Sequence, residues 1–478
     1  MTNEGKGESR SLVAAVARDD TAGVVRGERC VVDRAHGAQP GVAVLLGNLN
    51  VLAGAARIVR VCATGERGPR QSSGPRKMPD IAAIQEALRA QALDGWLFYD
   101  FHRRDPIGEH VLGLGAGMFT RRWFYLIPAR GTPRKLVHRI ESRALDSLPG
   151  TKLEYASLEE LEGNLRRLLS GATRTGRGGR AGRVAMQYSP RNAIPYVSMV
   201  DAGTIEMVRR AGAQVVSSAD LVQRFEATWS AEQFRSHEAA GHVVDRVTQG
   251  AFARAATIVR DGGTISEFEL QQWILEHFRA NGVITDEPPI VAVGAHSGDP
   301  HYEPSAAASS PIRAGDLLLL DIWGKTQSPE DSVYYDVTRV GYLGAVVPEK
   351  YAKVFAVVRA ARDAAVGFVQ QSVKAGRTIQ GWQVDRAARE VVRKAGYAKK
   401  FVHRTGHSIG PNVHGNGANM DGLETRDIRQ ILPHTCFSIE PGIYLPEFGI
   451  RSEVNVFVDD REARVTGPVQ TEILALVG

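Results

Sequence analysis

Five residues in the second half of the chain, Asp321, Asp336, His407, Glu440 and Glu453, are of the types that hold divalent metal ions, and each lies on or beside a strand-like apolar run. Asp321 closes the run LLLLD, Asp336 sits in VYYDVTRV, Glu440 follows CFSI and precedes Pro-Gly, Glu453 lies in GIRSEVNVFV, and His407 lies in HRTGHSIG. Singly, an Asp after a strand is an ordinary turn cap and a Glu on a strand an ordinary solvated side chain. As a set they read differently, because Asp321 and Glu440 each end an apolar strand while Asp336 and Glu453 each lie in the strand that follows. A carboxylate at the end of a buried strand resists ionisation unless it is paired or bound to a cation. Four converging on one crevice repel one another, and one or two divalent cations resolve that repulsion. Oxygen-rich ligation with a single imidazole suits Mn²⁺, with Co²⁺, Fe²⁺ or Zn²⁺ as other occupants. Five side chains complete two metal shells only if some carboxylates bridge, which sets the ions roughly 3.5–4 Å apart around a shared hydroxide nucleophile.

Three further histidines stand near these runs: His301 in DPHYEP, His403 in FVHRTGH and His414 in PNVHGNG. Imidazoles flanking a metal pair can donate to a substrate carbonyl oxygen as negative charge develops on it. Bonding to loop backbone is the competing role, strongest for His403. Arg451 lies two residues before Glu453, on the same side of its strand. It could bind a substrate carboxylate or carbonyl, or balance the charge of the ligands.

The elements that must position these residues repeat. Thr264-Ile265, Phe268, Leu270 and Gly282 recur as Thr378-Ile379, Trp382, Val384 and Gly396 at one offset of 114 residues. The histidines follow suit, with His301 37 residues after Thr264 and His414 36 after Thr378. Each copy reads as a long helix, a turn, a second helix ending near glycine, then strands. Ser230 and Gln233 fit a capping box that opens a long amphipathic helix to about Val259, and a second helix is expected from Thr264 with Glu267 as its box partner. Residues 226–478 therefore read as two related α+β halves facing each other. From 78 to 225, helical runs alternate with the strand-like runs GWLFYD, RRWFYLIP, PRKLVHRI and RVAMQY, the pattern of a smaller α/β domain. Residues 1–77, rich in Gly, Arg and Ala, read as a disordered extension or as the product of a start placed upstream of Met78.

With 478 residues, 43% hydrophobic and 23% charged, the composition is that of a soluble protein of two or more domains. No run approaches the roughly 20 apolar residues that span a bilayer. The start MTNEGKGESR lacks the apolar core of a secretory signal, so neither a membrane nor export is expected, and the cytoplasm is the default. Cys30, Cys62 and Cys436 share no metal-ligand spacing and fit a reducing compartment. The net charge of +6 comes largely from arginines in the first 80 or so residues and in TRTGRGGRAGR, read as solvated surface and not as a nucleic-acid site.

The runs LLLLDIWG, YYDVTR, HRTGHSIGPNVHGNG, SIEPGIY and GIRSEVNV resemble the pita-bread metallopeptidases, specifically the aminopeptidase P and prolidase branch. The resemblance covers about 226–478, and 78–225 resembles more loosely the creatinase-type N-terminal domain of that family. It implies an exopeptidase that cleaves before proline at the second position of a peptide, working through a hydroxide held by two metals, and acting as a homo-oligomer, most simply a dimer. It places Asp321 on one metal, His407 and Glu440 on the other, and Asp336 and Glu453 on both. Glu440 is then also the general base, His301 and His414 match substrate-contacting histidines, and Arg451 matches the arginine beside the last ligand. The proline preference rests wholly on the resemblance. Asp321 and Asp336 are 15 residues apart, a longer loop than the family commonly has, and His296 stands where relatives often carry a polar amide. A creatinase-like hydrolase, or a non-catalytic pita-bread binding module, would lack the full set of ligands that is present here.

Overall fold

The computed structural model describes residues 78–115, 117–170 and 181–477, so the expectations for residues 1–77 and for most of the basic loop lie outside the described residues. Six strands of the first 140 described residues form one mixed sheet: β1 (Gly95–Asp100), β2 (Trp123–Pro128), β3 (Arg134–His138), β4 (Thr151–Tyr155), β5 (Arg183–Met186) and β6 (Gln214–Ser217). Their order is β4-β3-β2-β1-β5-β6. β1, β2 and β3 pair antiparallel, whereas β4, β5 and β6 join in parallel. Alternate side chains of a strand face opposite ways, so each face of this sheet needs its own cover. Trp96, Phe98, Trp123 and Tyr125 enter one apolar cluster, while Leu97, Tyr99, Phe124 and Leu126 enter another. Helices α1 (Ile81–Ala90) and α2 (Pro106–Val111) supply side chains to the first, and α3 (Leu158–Leu169) and α4 (Ala202–Arg210) to the second. Burial on both faces is why β1 and β2 read as unbroken apolar runs.

A short helix, α5 (Ala219–Val222), and a wide turn over 223–227 lead into α6 (Ala231–Arg260). The α6 capping box is present in both directions between Ser230 and Gln233. The next helix, α7 (Glu267–Ala280), begins three residues later than Thr264, and its box is Ser266 with Glu269. Ile265 and Ser266 are extended as β7 (Ile265–Ser266) because they pair with Pro311 and Ile312, so the first free position for a cap is Ser266. Glu267 is thereby released from capping and turned into the protein, where it is fully buried.

After α7 come β8 (Val283–Ile284), β9 (Ile290–Val293), β10 (Pro311–Ile312), β11 (Leu317–Thr326) and β12 (Tyr335–Tyr342). The second copy opens on α8 (Glu349–Lys374) and α9 (Gly381–Lys394). α7 and α9 are both 14 residues long, and their bounds differ by the 114-residue offset of the sequence repeat. α7 carries a two-way capping box, Ser266 with Glu269, and at α9 the Gln380 N–H donates to the Gln383 side chain at 2.8 Å. Gly282 and Gly396 follow them with φ of 67° and 86°, the left-handed turn that glycine takes at no steric cost. Then come β13 (Ser408–Ile409), β14 (Thr435–Ile439), β15 (Gly442–Tyr444), β16 (Gly449–Arg451), β17 (Val454–Val458), β18 (Ala463–Thr466) and β19 (Leu474–Ala475). β8, β9, β11, β12 and β19 form the sheet of the first half, and β13, β14, β17 and β18 that of the second. β12 and β17 lie side by side where the halves meet.

The backs of these sheets are apolar and the facing sides carry the polar residues. Leu318, Leu320, Ile322 and Val337 pack under α6 and α7. Phe437, Ile439, Val454 and Val456 pack under α8 and α9. That burial fixes strand register, since a slip of one residue would turn each apolar set outward.

Candidate metal centre

Register places the first two carboxylates. Asp321 on β11 stands opposite Thr338 on β12, and Trp323 opposite Asp336. Residues i and i+2 share a face, so Asp321, Asp336 and Thr338 emerge together on the side opposite Leu320, Ile322 and Val337. In the second half Ile439 pairs with Val454 at the end of the β14–β17 ladder, which sets Glu440 and Glu453 just beyond it, facing each other. Ser438 then ties the imidazole to this end. Its Oγ accepts from the His407 backbone N–H at 3.0 Å and donates to Glu440 Oε1 at 3.2 Å, and its own N–H donates to the His407 carbonyl at 2.8 Å.

The result is a buried cluster. Asp336, His407 and Glu453 each offer a ligand atom, and these atoms lie within 4.8 Å of one another. His407 Nε2 is 3.5 Å from Asp336 Oδ2 and 3.5 Å from Glu440 Oε1. His407 Nδ1 lies 3.2 Å from the Ser408 carbonyl, which assigns the proton to Nδ1 and leaves Nε2 bare toward the carboxylates. Thr338 Oγ1 sits between Asp321 Oδ1 at 2.7 Å and Glu453 Oε2 at 2.9 Å, linking the two halves. Arg451 pairs with Asp321 through Nη2 and donates to Thr338 Oγ1 at 3.0 Å and to the Tyr444 hydroxyl at 2.9 Å.

Electrostatics say what the cluster would hold. Burial, then the charges of Asp321 and Glu440, push the Asp336 carboxyl well above its usual range. Burial, then Asp336, Glu440 and Asp321, do the same to Glu453. Burial drives Glu440 up to about 7 although Arg451 opposes it. The His407 imidazole is held well below its usual value by burial and then by His414 and Arg404. Asp336 Oδ1 and Glu453 Oε1 are buried without a hydrogen-bond partner among the described residues. A buried carboxylate oxygen with no partner is costly to keep, so orphaned oxygens aimed into a ring of acids are the mark of a cation site. A bare imidazole nitrogen with deprotonation-demanding carboxylates is also the donor set that a divalent ion needs. The residues present therefore fit divalent metal.

The remaining residues divide. His414 is exposed and stands edge-on to His407 with ring centroids 4.4 Å apart. His301 is exposed on the loop between β9 and β10. His403 is different, because both of its nitrogens are engaged inside the protein: Nδ1 with the Arg404 carbonyl at 2.6 Å and Nε2 with the Tyr444 hydroxyl at 2.7 Å. Burial, then Arg451, push that imidazole down to about 3, consistent with a neutral ring that donates from Nδ1 and accepts at Nε2. Arg451 is buried, and it donates to Asp321, Thr338 and Tyr444 within the protein. Thr338 and Tyr444 belong to the site and were not singled out by sequence. The alternation Asp336, Thr338 was a usable signal for the first; the second is placed only by the β15–β16 hairpin. Arg404 was also passed over, although its guanidinium is bonded to and stacked on Tyr196 from the first sheet's segment.

The sequence profile of metallopeptidase family M24 matches residues 236–460, the stretch that holds all five clustered residues. The chain is 28% identical to the probable dipeptidase PepE of Mycobacterium tuberculosis, over 73% of this chain and 84% of that protein. It is 28% identical to the Xaa-Pro dipeptidase of Lactobacillus helveticus over 49% of this chain and 58% of that one. Among solved structures it is similar to dipeptidase PepE from Mycobacterium ulcerans, with a TM-score of 0.62 and 25% identity over 83% of this chain and 97% of the other. A prolidase from Thermococcus sibiricus shares the fold, with a TM-score of 0.56 over 83% and 98% of the two chains.

Proposed function

We propose that this chain, a metallopeptidase whose residues 236–460 are a family M24 domain, is an exopeptidase that hydrolyses the Xaa-Pro bond at a peptide N-terminus and uses two divalent metal ions. The observation that carries this is the convergence of Asp336, His407 and Glu453 with two orphaned carboxylate oxygens among them. The pita-bread resemblance and the relatives that bear the names dipeptidase and Xaa-Pro dipeptidase support the substrate class. Asp321 would hold one ion, His407 and Glu440 the other, and Asp336 and Glu453 would serve both. Manganese is the best match to four carboxylates and one imidazole, with Co²⁺, Fe²⁺ or Zn²⁺ as other occupants. Such ions, when bound, polarise a carbonyl oxygen and lower the pKa of water.

The chain's own groups do the rest. Glu440 takes the proton of the attacking water and returns it to the proline nitrogen as the bond breaks. His301 and His414 donate to the former carbonyl oxygen while it carries negative charge in the tetrahedral state. Arg451 offsets the acidic ligands, and His403 holds Tyr444 against it. Residues 78–225 act as the creatinase-type N-terminal domain and reach the site through Tyr196 and Arg404.

The test is metal analysis of the purified protein, followed by turnover of Xaa-Pro dipeptides and Xaa-Pro-Xaa peptides with Mn²⁺ and with a chelator. Chelator-sensitive cleavage before proline is expected. Hydrolysis that ignores the chelator, or metal-dependent cleavage with no preference for proline, would overturn the mechanism or the substrate class respectively.

A further inference from the structure

Of the buried carboxylates that the mechanism leaves unused, one adjoins the loop that carries His301. Glu267 is the first residue of α7, is fully buried, and lies outside the metal cluster. Its Oε1 accepts from the Val293 N–H at 2.8 Å, and its Oε2 from the Tyr302 hydroxyl at 2.7 Å and the Ser310 N–H at 2.6 Å. His296 Nδ1 is 3.0 Å from both oxygens. Each of these partners belongs to the segment from the end of β9 to the start of β10, and this segment carries His301. The Glu267 N–H closes the same clamp by donating to the Ser310 carbonyl at 3.0 Å. The rings of His296 and Tyr302 stack with centroids 4.1 Å apart, so the two side chains that reach for the carboxylate also brace each other.

The far side of the segment is fastened to the second half. Ser297 Oγ accepts from the Gly449 N–H at 2.9 Å and donates to the Gly294 carbonyl at 2.7 Å. Arg451, which also pairs with Asp321, reaches the Pro300 carbonyl at 3.5 Å. Between these two anchors Asp299 Oδ1 accepts the His301 N–H at 3.0 Å. The exposed imidazole of His301 thus stands on a loop whose span is fixed from both ends. A surface loop ordinarily needs no buried anion with four donors, and a charged acceptor binds such donors about twice as strongly as a neutral one.

We propose that Glu267, with His296 and Tyr302, is a positioning clamp that sets the place of His301 over the cleft. The proposal rests on the reading of His301 as a substrate-contacting donor. Glu267 does not touch substrate and acts only through the loop. A glutamine at 267 would present an NH₂ to the backbone N–H of Val293 or Ser310, a donor against a donor, and loosen one side of the clamp.

The test is a double-mutant cycle in the full-length, Mn²⁺-loaded protein. E267Q should lower kcat by about 10–100-fold, the cost of misplacing a catalytic group by roughly an ångström, with metal content and KM little changed. The double variant E267Q/H301A should be no slower than H301A alone. Additive losses would overturn the clamp, because a purely structural defect does not depend on His301. If E267Q fails to fold, Y302F carries the same cycle with a smaller effect of the same sign. An independent readout is the ring Cε1–H resonance of His301, assigned with H301A in histidine-labelled protein loaded with diamagnetic Zn²⁺. It should shift in Y302F and E267Q, and an unmoved resonance would overturn the clamp. If the wild type cleaved no Xaa-Pro peptide, the functional reading would fall, and the resonance alone would decide the clamp.

Discussion

At the scale of single residues, the proposed function separates groups that would hold metal from groups that would meet substrate. Asp336 and Glu453 each bring one orphaned oxygen to the cluster, and each crowds the other's charge. Asp336→Ala or Glu453→Ala should abolish turnover and lower bound metal, measured by elemental analysis beside kinetics; full metal and activity in either would refute the assignment. His407 and His414 stand edge-on within 4.4 Å, yet should behave differently. His407→Ala removes a proposed ligand, so it should lose one metal, with partial recovery in excess Mn²⁺. His414→Ala should keep its metal and lose turnover by about 10²–10³-fold, the usual effect of deleting an oxyanion donor. Metal loss in His414→Ala with retention in His407→Ala would move the centre to the HGNG segment. The five clustered residues were legible because ligand chemistry permits few residue types and because their strands are apolar. Thr338, Tyr444 and Arg404 were not, since a hydroxyl or guanidinium is common everywhere and only the tertiary fold says which ones face the cleft.

At the scale of elements, the repeat was the strongest sequence signal, and α7 and α9 keep its offset at both ends. Helix periodicity and capping are local, so they survive in the sequence. The start of α7 was misplaced because a long-range pairing, β7 with β10, claims Ile265 and Ser266 before the helix can. The same pairing turns Glu267 inward, and no local rule could signal that. Close backbone contact is similarly invisible in sequence. A Cβ at Gly406 would fall on the Ser438 carbonyl oxygen, and Ser438 is the residue that ties His407 to Glu440. Gly406→Ala should therefore push β13 off β14, destabilise the protein by about 1–3 kcal/mol and weaken metal binding together. Thermal unfolding and a metal titration on one sample check this; a loss of stability with metal affinity intact would uncouple the strand pair from the centre.

At the scale of the whole molecule, one buried histidine away from the metal cluster joins three elements of the catalytic region and makes its stability depend on pH. His237 of α6 engages the Tyr334 carbonyl ahead of β12 through Nδ1 at 2.7 Å and Thr466 Oγ1 of β18 through Nε2 at 2.8 Å. With a carbonyl on one side, Nδ1 must carry the proton, and Nε2 accepts from the threonine hydroxyl, so the ring is neutral. Burial pushes its pKa down from 6.5 to about 4. An unfolded chain takes up the proton below about 6.5, while the folded protein refuses it until about 4. The unfolded state thus binds more protons across that window, and stability must rise with pH there. The contribution is fully present above the unfolded pKa and is lost as pH falls toward 4. At about 1.36 kcal/mol per pH unit, the fall from 6.5 to 5 removes roughly 2 kcal/mol. His237→Gln offers one donor and one acceptor but does not titrate. It should be less stable than wild type at pH 7, and its melting temperature should drop less between pH 7 and pH 5. The other titrating groups are common to both proteins, so the difference between the two drops isolates this ring. Equal drops would mean that the imidazole gains its proton as easily in the folded protein as in the unfolded chain, and that the three elements are held together by something other than this neutral ring.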